Sequence, residues 1–105
     1  YAFQPASVRA EWRRRLAPTV SSKTWKAFED RATAARTKGH VRADSDITRH
    51  IVDLSAPVMS VDMVAAALTC PYIETPKALP IKATITAIQK AADAISANLT
   101  RPAVV

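Results

Sequence analysis

Seven prolines, Pro5, Pro18, Pro57, Pro71, Pro76, Pro80 and Pro102, constrain this 105-residue chain more tightly than any other feature. Each removes a backbone donor and fixes φ, so a helix tends to begin at a proline or to end before it. Read with that punctuation, the apolar spacing predicts four or five helices. The first covers Val8 to Leu16, with Ser7 as its cap and Val8, Trp12 and Leu16 on one face; Pro18 ends it. The second covers Lys23 to Lys38, capped by Ser21 or Ser22. It carries Trp25, Phe28, Ala32 and Ala35 as a 3,4,3 stripe, and Gly39 stops it.

A third helix is expected over Ser45 to Ser55, opened by Asp44 or Asp46. Ile47, Ile51 and Leu54 form its apolar face, and Arg49 and Asp53 its i,i+4 ion pair. A short fourth begins at Ser60 with Val61, Val64, Ala65 and Leu68, and a proline-stiffened connector joins Cys70 to Pro80. The last runs from Ile81 to Leu99 on a seam of Ile81, Ile85, Ile88, Ala92, Ile95 and Leu99. Residues 81–88 also alternate as a strand would, but the stripe continuing to Leu99 decides for helix. The expected fold class is therefore all-α, with four to five helices separated by prolines. They form one small helical domain over 1–105, in an irregular or partly extended arrangement rather than a tight bundle.

Alanine supplies 21 residues, while Leu, Ile, Val and Phe together supply 23. An alanine methyl removes little apolar surface from water, so the core is thin for the length. Charge is uneven as well. Residues 1–42 hold ten Lys/Arg against three Asp/Glu, and residues 43–105 hold five against six. Five of the six aromatics (Tyr1, Phe3, Trp12, Trp25 and Phe28) fall in the first 28 residues. A basic, aromatic segment over 1–42 thus precedes a nearly neutral Ala/Ile/Val segment over 43–105. The basic part suits an anionic partner: nucleic acid, an acidic protein surface or anionic lipid.

With one Gly, one Cys and two His, the chain carries no Gly-rich phosphate cradle, disulfide framework or Cys/His zinc cluster. Asp46, His50 and Asp53 would share a helical face at i, i+4 and i+7, yet two carboxylates and one imidazole leave a metal shell incomplete. Cys70, between Thr69 and Pro71, lacks the electropositive setting that activates a thiol. No catalytic residue, cofactor site or metal site is expected. The partner-binding residues expected are Trp12, Arg13, Arg14, Arg15, Trp25 and Phe28, because Trp and Arg are the usual anchors of interfaces.

The apolar run from Val58 to Cys70 is bounded by prolines and interrupted by Asp62, too short to span a bilayer, so no transmembrane helix is expected. A first residue of Tyr1 fits a processing site or a fragment start, and Arg/Ala richness fits a cleaved mitochondrial precursor. The function expected is a non-catalytic accessory subunit of a larger protein assembly. A mitochondrial energy-transducing complex (respiratory or ATP synthase) is the host named; a cytoplasmic setting is the other. An RNA-binding component, such as a ribosomal protein, is the alternative, and an enzyme using His50 or Cys70 comes last.

Overall fold

The computed structural model describes residues 1–100. They form helix α1 (Ala6–Leu16), a 3-10 turn (Ala17–Thr19), helix α2 (Ser22–Lys38), strands β1 (Val41–Asp44), β2 (Ile51–Met59) and β3 (Val64–Ile73), and helix α3 (Ile81–Thr100). The fold is α+β, with three helices and a three-stranded antiparallel sheet among the described residues. This overturns the all-α expectation: a β-meander occupies the place of the third and fourth helices and the start of the proline connector. The chain divides into two compact units, Tyr1–Lys38 and the part from Gly39 onward.

In the first unit the two expected helices form where the spacing placed them. The cap of α1 differs from the reading, and that of α2 is one of the two serines expected. Pro5 stands at the α1 N-cap with no side-chain cap, and Ser7 lies inside the helix. Ser21 caps α2, its Oγ accepting the Thr24 N–H at 3.1 Å. Ala32 and Ala35 are buried, together with Ala2. Residues 1–4 turn back onto this layer, with the Gln4 N–H donating to the Tyr1 carbonyl. Arg9 donates to the Gln4 carbonyl at 2.6 Å and Arg36 to the Ala2 carbonyl at 3.3 Å. Gly39 follows α2 at φ +82°, the left-handed position that closes many helices.

The second unit is built on β2. Its strand order is β1-β2-β3, with Ala43, Asp53 and Pro71 in one cross-strand row and Val41, Ser55 and Thr69 in the next. Leu54, Ala56 and Val58 alternate onto one face, where they meet Ile88 and Ala92 of α3; Val52, Leu68, Cys70, Tyr72, Ile81 and Ile85 surround them. The α3 seam is thus as the spacing predicts through Ala92, while Ile95 and Leu99 are exposed. A polar tie holds the far end: the Met59 N–H donates to Ser96 Oγ at 2.8 Å, and that hydroxyl donates to the Ala92 carbonyl at 2.7 Å.

Two prolines lie within strands, which explains why the punctuation misled. Pro71 has no N–H, so the Asp53–Pro71 pair fits a position where the two residues exchange no ladder bonds. Asp53 then turns its backbone toward Ala43, and Pro71 turns its own toward the free edge of β3. Pro57, four residues after Asp53, faces the same side as Asp53. There β1 has already ended, since it pairs only with residues 52–55. Neither proline costs the sheet a hydrogen bond.

Leu54→Ala should destabilise the second unit by about 2–5 kcal/mol, because its side chain is wholly enclosed. Ile95→Ala, on an exposed part of α3, should cost under about 0.5 kcal/mol. Urea unfolding followed by far-UV circular dichroism checks both values.

Candidate partner-binding site

The first unit carries all of the net charge. Residues 1–38 hold nine Lys/Arg against three Asp/Glu, and residues 39–105 hold six of each. The large side chains on this unit are only half-buried. Tyr1 is their hub: its ring centroid lies 6.2 Å from Trp12, 5.9 Å from Trp25 and 5.0 Å from Phe28, and Trp25 and Phe28 are 5.1 Å apart. Those distances lie in the range of favourable aromatic pairs. The structure therefore brings Trp12, Trp25 and Phe28 of the expected set together, through a residue that the spacing did not single out.

The three arginines point elsewhere. Arg14 and Arg15 both reach Glu11, at 2.7 and 2.8 Å, one helical turn back. Arg13 crosses to α2 and contacts Glu29 at 3.1 Å. Each is more than half exposed, and such surface pairs contribute about 0–1 kcal/mol. They orient the guanidinium groups without removing them from an incoming partner. The Glu11 carboxyl sits below its ordinary range because Arg14, then Arg15, hydrogen-bond to it. All three acids of this unit are paired, since Lys26 meets Asp30 at 2.9 Å.

Glu29 joins the aromatic and basic features. It accepts a hydrogen bond from the Tyr1 hydroxyl as well as from Arg13. The Tyr1 bond, chiefly, holds its carboxyl below the ordinary range, with Arg13 adding to that and partial desolvation opposing it. Desolvation first, then the bond to Glu29, raises the Tyr1 phenol above its ordinary value.

The residues considered for catalysis do not converge. Asp46 and His50 lie in the β1–β2 turn and Asp53 in β2, so the helical face proposed for them does not exist; neither does the i,i+4 geometry of Arg49 and Asp53. Ile47, expected on an apolar helical face, is 96% exposed in that turn. The turn is shaped by Ser45, whose Oγ accepts the Ile47 and Thr48 N–H groups, and by His50 at φ +65°. Cys70 packs half-buried against the core of the second unit. Among the described residues no three His, Cys, Asp or Glu side chains are grouped to hold a metal ion. A cleft of about 920 Å³ opens where this turn, the end of β3 and the start of α3 meet. Arg42, Arg49, Asp44 and Glu74 line it with both signs of charge, which selects neither anion nor cation.

Comparison with protein-family models, with curated proteins and with solved structures gives no match for this chain. Among the described residues no helix is long and apolar enough to cross a membrane.

The pH dependence of the first unit follows from Glu29 and Tyr1. A depressed carboxyl contributes stability that is present above the unfolded value of 4.5 and lost as pH falls through the lowered one. A raised phenol contributes stability that is present below 10.0 and lost as pH rises through the higher folded value. Tryptophan fluorescence should therefore report loosening of Trp12 and Trp25 on acidification below about pH 4.5. Glu29→Gln should flatten that limb of the titration.

Proposed function

We propose that this protein is a non-catalytic subunit of a larger protein assembly, held there by its basic, aromatic first unit. One observation carries the reading. The residues buried in this unit are alanines and Gln4, while Tyr1, Trp12, Trp25 and Phe28 gather into a cluster that remains half open. A unit of fewer than about 40 residues seldom has core enough of its own, and commonly draws on a disulfide, a metal or association. Here the large rings are already assembled, and an acidic protein surface that covers them would complete the burial and meet the excess of cations.

Nucleic acid is the competing partner. It would need the arginines to exchange Glu11 and Glu29 for phosphates, and the rings to open for base stacking. The carboxylate pairing and the ring-to-ring packing favour the protein reading. The mitochondrial host expected from composition gains no support from the fold or from the comparisons, so the proposal is confined to the subunit role.

Gentle purification from the native source, with identification of the co-purifying macromolecule, is the first step of the test. Trp12→Ala or Trp25→Ala should then weaken association by at least about 30-fold, as loss of a buried aromatic anchor does. Changing Arg13, Arg14 and Arg15 together to Gln should weaken it less, and mainly at low salt, because exposed charges are screened within roughly 8–10 Å. A nucleic-acid partner, with a dominant arginine effect and a steep linear fall of log K with log salt, would overturn the reading.

A further inference from the structure

The cleft of about 920 Å³ in the second unit is lined by charges that the fold leaves unmatched. It forms where the sheet outruns its helix. Asp44, Val52 and Tyr72 make one cross-strand row on the face that α3 packs against, and α3 begins only at Ile81. Val52, Tyr72 and Ile81 pack on the core and give the cleft a half-buried apolar side. Around it stand Arg42 and Asp44 from β1, Arg49 from the β1–β2 turn and Glu74 just past β3. None of these four forms an ion pair among the described residues, whereas every acid of the first unit is paired. Two cations and two anions thus line one concavity without neutralising each other. Such a lining attracts a lone anion through its arginines and repels it through its carboxylates; for a lone cation the signs reverse. A ligand that carries both charges gains from both sets.

We infer that this cleft binds a small zwitterion, an ammonium and a carboxylate on one apolar body: the chemistry of a free amino acid or of a short peptide with free ends. The carboxylate meets Arg42 and Arg49, whose forked guanidinium groups suit its two oxygens. The ammonium meets Asp44 and Glu74, and the apolar body lies against Val52, Tyr72 and Ile81. The dimensions agree. Clefts that take small ligands enclose roughly 300–1,000 Å³. Arg42 and Asp44 stand two residues apart on β1, about 7 Å, and Asp44 and Tyr72 two strand spacings apart, about 10 Å. A single amino acid matches the shorter span, and an extended tripeptide, about 10 Å long, matches the longer. All four charges are exposed, so each contact is screened and the affinity is modest, with Kd about 0.1–1 mM. The inference concerns the second unit alone and does not depend on the subunit reading.

The test titrates the full chain, labelled with nitrogen-15, with L-leucine and separately with the tripeptide Leu-Ala-Leu, each to about 10 mM. The expected result is a saturable shift of backbone NMR signals in 42–52 and 72–81, and not in 1–38, from at least one of the two. Saturation by leucine identifies a free amino acid as the ligand class, and saturation by the tripeptide alone identifies a peptide. The N-acetylated and C-amidated forms of whichever binds each keep one charge, and should bind at least about tenfold more weakly. Asp44→Asn combined with Glu74→Gln should abolish the discrimination against the N-acetylated form, because the repelling carboxylates are gone. Arg49→Gln should weaken the zwitterion at least about threefold with unchanged circular dichroism. Absence of a saturable shift from both ligands would overturn the inference. So would capped forms that bind the unaltered chain as well as their parents, or discrimination that survives loss of both acids. If the double variant fails to fold, Arg49→Gln, in an exposed turn, decides: unchanged binding would overturn the inference.

Discussion

Packing of α3 across β2 is the contact on which the second unit depends. Leu54, Ala56 and Val58 present one large group and two smaller ones, and Ile88 and Ala92 answer with one large and one small. Small side chains on both surfaces let helix and sheet approach closely, so a modest number of buried atoms still fills the interior. Every other element of the unit is placed by that contact. The strands β1 and β3 are positioned by their ladders to β2. The connector before α3 is held by the Tyr72 hydroxyl, which donates to the Leu79 carbonyl at 2.7 Å. The alanine-rich composition, which suggests a weak core, becomes intelligible as a close-approach core on one side of a sheet.

The helices were legible from spacing and the sheet was not, for a physical reason. Residues 22–38 and 81–100 offer long windows in which only a 3.6-residue period fits. In 51–59 the alternation of Val52, Leu54, Ala56 and Val58 is present, but Ile51 and Leu54 also satisfy helical spacing with Ile47. Pro57 then reads as a stop. In 64–73 three consecutive alanines favour helix by local preference, and the pairing with β2, remote in sequence, overrides it. In local sequence a proline reads as a breaker of helices or a stiffener of connectors. Its other tolerated place, a strand position with no ladder partner, depends on where neighbouring strands end, which local sequence does not encode.

The candidate site was legible in part. Trp12, Trp25 and Phe28 share one cluster because each lies on the inner stripe of its helix, and that stripe is a local property. The pairing of Glu11 with Arg14 and Arg15 follows from i,i+3 and i,i+4 spacing. The placement of Tyr1 at the centre, and the reach of Arg13 to Glu29, span 28 and 16 residues in sequence. Only the closed helical hairpin reveals them.

Pro71 has a meaning beyond its fit to the ladder. Strand β3 is ten residues long and lies at the margin of the sheet, the geometry through which proteins recruit foreign strands and grow into fibrils. A pyrrolidine ring on that margin interrupts the row of donors that an incoming strand would need. Copies of a chain with so long a marginal strand stay apart only if their edges do not zip together. The proline thus acts as a gatekeeper of that border.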